Sequence, residues 1–147
     1  MLVHRAEVKV FVKQEDSYDS VKKALLSLFP FDLQQEKVNV LDESASGLDG
    51  NLIKILSVSL LKERQITRFL AALKQHLGTE QTRVLLEQKE SRLDEHLFFF
   101  LRLEKASLLD SKYALTDSGN CFHIRMNIAA FPAKRASALE TVKQLFS

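Results

Sequence analysis

Residues 3–13, VHRAEVKVFVK, alternate with period two: Ala6, Val8, Val10 and Val12 point one way, and Arg5, Glu7, Lys9, Phe11 and Lys13 the other. That is a half-buried strand. The EDSYDS stretch then offers several helix caps before VKKALLSLF, where Val21, Ala24, Leu25 and Leu28 recur at helical spacing. Pro30 ends this helix. EKVNVLDES predicts a second, more polar strand, and residues 44–51, SASGLDGN, carry the strongest turn signal in the chain. LIKILSVSLL predicts a third strand, with apolar residues in both alternation sets, so its facing stays open.

From Glu63, ERQITRFLAALKQHL is amphipathic, with Ile66, Phe69, Leu70, Leu73 and Leu77 as its stripe and Gly78 placed as C-cap. Thr79 is the expected N-cap of a following helix. HLFFFLRLEK predicts a strand, and residues 106–118 a helical turn with a short strand. CFHIRMNIAAF alternates, with Phe122, Ile124, Met126 and Ile128 on one side and Cys121, His123, Arg125 and Asn127 on the other. The last segment, PAKRASALETVKQLF, predicts a helix with Pro132 at or near its first position.

The order β-α-β-β-α-α-β-(β)-β-α predicts one α+β domain over residues 1–147. It is expected as a two-layer sandwich, with a mostly antiparallel or mixed sheet and helices on one face. The other face is then open. On HLFFFLRLEK, Leu97, Phe99, Leu101 and Leu103 suit the core, which turns Phe98, Phe100, Arg102 and Glu104 outward. With Phe11, Lys9, Lys13, His123 and Arg125 that face would mix aromatic rings and cations, which suits unpaired RNA. Other readings of Phe98 and Phe100 are burial under residues 106–118, a homodimer interface, or a register shifted by one residue, which would exchange the faces.

Net charge is only +2, but its distribution is uneven. Residues 52–77 hold five cations (Lys54, Lys62, Arg64, Arg68 and Lys74) against Glu63, and residues 121–147 hold Arg125, Lys134, Arg135 and Lys143 against Glu140. Lys134 and Arg135 fall at a helix start, where the dipole disfavours cations and an anion would be at home. The two blocks make Lys62, Arg64, Arg68, Arg125, Lys134 and Arg135 candidate phosphate contacts.

Nothing points to catalysis. Asp42, Glu43, Asp49 and Asp94 stand in no fixed relation to a nucleophile, and GLDGN lacks both the phosphate-loop lysine and the dinucleotide spacing. The four histidines are scattered, so no metal or other cofactor is expected, and the Cys121–His123 pair has no surrounding motif. A single cysteine and the absence of a signal peptide or membrane-length apolar run make the cytoplasm the expected location.

Three stretches taken together resemble a known family: GNLIKIL, RLDEHLFFFLRLEKA and IRMNIAAFPAKRASALETV. The chain is similar to archaeal proteins described as RNA-binding proteins or predicted exosome subunits, from the opening V-H-x-x-E-V-x-x-F-V to the closing F-P-A-K-R. The resemblance implies a fold related to ribosomal protein L5, an RNA partner and a role beside an RNA-processing or RNA-degrading complex. It highlights Gly50, Asn51, Lys54, Arg102, Lys105, Lys134 and Arg135. Ala106 stands where the family often has glutamine. The expected function is therefore non-catalytic RNA binding, with a protein-interaction or homodimer module as the alternative.

Overall fold

A computed structural model describes residues 1–147. Five strands, β1 (Val3–Val12), β2 (Val40–Ser46), β3 (Leu52–Leu60), β4 (Phe98–Glu104) and β5 (Cys121–Ile128), form one sheet in the order β2-β3-β1-β5-β4. Every neighbouring pair is antiparallel. Five helices cover one face: α1 (Tyr18–Ser27), α2 (Glu63–Glu87), α3 (Lys89–Arg92), α4 (Lys105–Leu109) and α5 (Arg135–Phe146). The α+β sandwich with one open sheet face is the arrangement expected from the alternation.

The core follows from strand parity. Val8 and Val10 of β1, Leu56 and Val58 of β3, Leu101 and Leu103 of β4, and Phe122 and Ile124 of β5 all sink beneath the helices. Val21 and Leu25 of α1, Phe69 and Leu73 of α2, and Val142 and Phe146 of α5 meet them. A register shift between Val3 and Arg5 lets both Val3 and Ala6 face the core although three positions apart. The facing of β3, open from sequence, is settled by register with β1: Leu56, Val58 and Leu60 point to the helices, and Ile53, Ile55, Ser57 and Ser59 to the open side.

Local chemistry explains the boundaries. Ser17 caps α1 by accepting from the Ser20 N–H at 3.3 Å. The 47–51 turn closes through Gly47 N–H to Asn51 carbonyl at 2.7 Å, with Gly50 at φ 82. Asp94 accepts from the amides of His96 and Phe98, both at 2.9 Å, which starts β4 at Phe98. Residues 106–118 contain α4 and a bridge from Leu115 to Leu103, with Glu104 N–H on the Ala114 carbonyl and Thr116 N–H on the Arg102 carbonyl. This segment covers the outer edge of β4, so β2 is the sheet's uncovered edge strand.

Gly78 divides α2 as expected: at φ 78 and ψ 171 it is non-helical, and two helical segments meet there across a kink. One boundary differs from expectation. The last helix starts at Arg135, not at Pro132, because Lys134 is extended at φ −141 and ψ 163.

The Gly78 conformation is one that only glycine adopts without strain. A Cβ there meets nothing within 4 Å, so Gly78→Ala tests backbone strain alone. We expect the substitution to destabilise the fold by about 1–3 kcal/mol, the usual cost of such a conformation, read from urea unfolding.

Candidate nucleic-acid interface

The residues that β1, β5 and β4 turn away from the helices lie in rows set by strand register. Phe98, Asn127 and Arg5 share one row, and Phe100, Arg125, Glu7 and Ser59 the next. Arg102, His123, Lys9, Ser57 and Leu41 form a third. Phe11, Ile55 and Glu43 follow toward the other end. The face is thus divided. Arg5, Lys9, Arg102 and Arg125 concentrate on β1, β5 and β4, while the β2–β3 side carries no cation: Leu41, Ala45, Ile53 and Ile55 stand there among Glu43, Ser57 and Ser59.

The aromatic rings stand within this basic half. The Arg125 guanidinium lies 4.5 Å from the Phe98 ring centroid, and the Phe100 ring is tilted against His123 at 5.2 Å. Phe11 is 45% exposed, whereas Phe98 and Phe100 are half-buried. The register expected for β4 holds, and residues 114–116 hydrogen-bond along the β4 edge, with Thr116 and Asp117 flanking Phe100. A polar groove of about 400 Å³ continues the basic surface there, lined by Gln88, Arg92, Phe100, Arg102 and Asp117 among others.

Arg125 differs from the other seven arginines in having no side-chain hydrogen bond. Its Nε is enclosed without an acceptor, and its nearest carboxylate oxygen, Glu7 Oε1, is 3.8 Å away. Glu7 is itself loosely held: Ser59 Oγ donates to Oε2 at 3.4 Å, and Arg5 lies 3.5 Å from the same oxygen. Polar groups in a half-enclosed place with unused capacity favour an added hydrogen-bonding partner.

Most of the remaining candidate cations already have partners: Arg102 donates to the Asp117 carbonyl at 3.0 Å. Arg64 pairs with Glu36 at 2.8 Å, and Arg68 donates to the Pro30 carbonyl at 3.0 Å while lying 5.2 Å from the Phe31 ring centroid. Both fasten the α1–β2 connection to α2. Arg135 donates to the carbonyls of Leu93, at 2.9 Å, and Glu90, fastening α5 to α3. Lys54 projects to the helix side of the sheet, 3.5 Å from Asp42 and 5.7 Å from the Tyr18 ring centroid. Lys62 and Lys134 are exposed residues preceding α2 and α5. The two basic helix starts leave the same end of the sheet but dock on different neighbours.

Lys105 corrects the sequence expectation most sharply. It is 2% exposed, and its Nζ donates to the Phe11 carbonyl at 2.7 Å and to Asp16 at 2.9 Å. A buried ammonium with those partners is a structural tie between α4 and the end of β1, and it has no surface to offer a phosphate. Burial works to raise the Asp16 carboxyl, but the Lys13 amide and the Lys105 ammonium outweigh it and hold the group below its ordinary range. Conversely, Arg5, Glu7, Lys9 and His123 belong to the open face although charge blocks gave them no weight. Their signal was the period-two alternation of β1 and β5.

Burial pushes the His123 imidazole below its ordinary range, and Arg102, Arg125 and Lys9 reinforce this against an opposing effect from Glu7. The unfolded chain therefore takes up this proton at a higher pH than the folded one, and the associated stability is present above about pH 6.5 and lost on acidification. Urea midpoints at pH 7.5 and 5.5 should differ less in His123→Gln than in the unsubstituted protein. An equal difference in both would rule His123 out as the source.

Comparison with known proteins places this face in context. A family model described as RNA binding matches residues 5–128, which span all five strands. An RNA-binding protein of Pyrococcus abyssi is 25% identical over 141 residues, covering 96% of this chain and 92% of that protein. The crystal structure of a DUF54 protein from Archaeoglobus fulgidus superposes with a TM-score of 0.87 at 26% identity, covering 97% of this chain and 99% of that one. A DUF54 protein from Methanothermobacter thermautotrophicus shares the fold over the whole of both chains, with a TM-score of 0.79 and 24% identity. With the matched span taking in every strand of the basic face, the chain belongs to this RNA-binding family.

Proposed function

We propose that the protein binds unpaired RNA on the basic half of its open sheet face, as a non-catalytic accessory factor in RNA processing or degradation. The observation that carries this reading is Arg125: its guanidinium rests on Phe98 at the centre of the cationic rows, with no hydrogen bond inside the protein. An RNA phosphate or base edge would accept from the terminal nitrogens of this 36% exposed side chain, since the Nε itself is closed off. Unpaired bases can lie on half-exposed rings, whereas stacked bases in a duplex offer no ring face to a sheet. Arg5, Lys9 and Arg102 around the rings would meet the backbone.

Fluorescence anisotropy with a labelled ten-nucleotide uridine-rich RNA tests the reading at two salt concentrations. We expect binding that weakens steeply with salt, because counterions are released from neutralised phosphates. Arg125→Ala should weaken it about five- to tenfold, while Arg68→Ala, which removes a tie to the Pro30 carbonyl, should leave affinity unchanged. No binding at low salt, or equal losses in both variants, would overturn the assignment.

A protein-interaction role is favoured by a different observation, the cation-free half of the same face, where Leu41 is 52% exposed and Ile53 and Ile55 are half-buried. Homodimerisation there predicts a dimer mass in light scattering at micromolar concentration that Ile55→Glu returns to monomer. A monomer before and after substitution would exclude self-association through this half. RNA held on β1, β5 and β4 is compatible with either result.

A further inference from the structure

We propose that Glu7, together with Arg125 and the neighbouring phenylalanine rings, forms a reading site for one unpaired guanine base. The inference rests on the RNA-binding assignment above and asks why a carboxylate stands in the middle of its basic half. Glu7 lies between Arg125 on β5 and Ser59 on β3, and its side chain is only 17% exposed. A carboxylate at that position offsets the positive charge of Arg5 and Arg125 beside it, so it weakens non-specific binding of the backbone. Its placement makes physical sense if the group it faces is a base edge and the backbone runs over the surrounding cations.

The carboxylate has capacity to spare on both oxygens. Oε1 has Arg125 at 3.8 Å, beyond hydrogen-bond range. Oε2 has a long contact from Ser59 Oγ at 3.4 Å and Arg5 at 3.5 Å. Two carboxylate oxygens provide about four acceptor directions, most of which are unused here. Arg5 itself donates to Ser59 Oγ at 3.2 Å, so neither guanidinium engages Glu7 as a two-pronged pair.

The four bases differ in what they can offer such a group. Guanine alone carries two adjacent donors on its Watson–Crick edge, N1–H and N2–H, spaced like the fork of a guanidinium. Uracil has one N–H between two carbonyls. Adenine and cytosine each place an amino group beside a ring nitrogen whose lone pair would face the second carboxylate oxygen. Guanine O6, next to N1, and N7 accept from arginine, and Arg125 is the cross-strand neighbour of Glu7, its terminal nitrogens making no hydrogen bond in a side chain 36% exposed. Phe100, paired in register with Arg125, provides a ring on which the base can lie, while Phe98 supports the Arg125 guanidinium from beneath. Pairing in a duplex would hide the edge being read, so the base must be unpaired.

The test uses the full chain and labelled uridine octamers carrying one central G, A, C, U or inosine, measured by anisotropy at one fixed salt concentration. The G octamer should bind about five- to tenfold more tightly than the A, C and U octamers, within the range for a two-pronged base contact. Inosine, which lacks the N2 amine, should lose most of that advantage without any change to the protein. Glu7→Gln should abolish the preference while binding the uridine octamer at least as well as the unsubstituted chain, with thermal melting as the check on folding. Equal affinities for all four bases, or a preference that survives Glu7→Gln, would overturn the guanine site and leave the RNA assignment standing. Failure of every octamer to bind at low salt would remove the RNA assignment and this inference with it.

Discussion

The arrangement of the molecule depends on β1 being paired along both edges, to β3 on one side and β5 on the other. A central strand has no freedom to slip, since a one-residue shift would exchange Val8 and Val10 for Glu7 and Lys9 beneath the helices. Burying those charges without partners would cost several kcal/mol each, well above what any single surface contact returns. The valines therefore fix both faces at once. What the core requires of β1 decides which charged residues of β5 and β4 stand beside Glu7 and Lys9 on the open side.

That same constraint made much of the fold legible in the sequence. Period two in β1, β4 and β5 identified the core residues and the outward Phe98, Phe100 and Arg125, because alternation is a local property of the chain. Ser17, the 47–51 turn and Gly78 were likewise visible as residues whose chemistry suits a cap, a turn or a left-handed backbone. The facing of β3 was not, since Ile53 and Ile55 are as apolar as the core residues Leu56 and Val58 and only pairing with β1 separates them. The start of α5 was misplaced because Pro132 suits a first helical turn locally, while the chain remains extended through Lys134 before turning.

The candidate site was legible in part, and the errors share a cause. Counting cations along the chain cannot tell a positive charge in solvent from one already neutralised or hydrogen-bonded. Lys105 meets the Phe11 carbonyl across 94 positions of sequence, Arg135 reaches Leu93 across 42, and Arg68 reaches Pro30 across 38. Those partners are backbone carbonyls, which every residue carries and no composition reveals. The outcome is a division of labour among the cations. Those at the helix starts largely hold connections in place; on the sheet Arg102 donates to the Asp117 carbonyl and Arg5 to Ser59, and Arg125 is the arginine whose guanidinium makes no hydrogen bond. The open-face carboxylate Glu7 was hidden for the converse reason, because an acid in a strand of mixed charge draws no attention until its neighbours are known.

The sheet also has two unlike edges. Residues 114–116 lie along β4 and occupy its outward hydrogen-bonding groups at Arg102 and Glu104, while β2 has no strand beyond it. Growth of the sheet by an added strand is therefore one-directional. Such a strand would lie beside β2, four strand spacings from β5, or roughly 19 Å at about 4.8 Å each. An extended peptide could join the molecule on that side without passing over Arg125. The covered edge thus works as a spacer built from the chain itself, keeping backbone-mediated assembly and the cationic rows on separate territory.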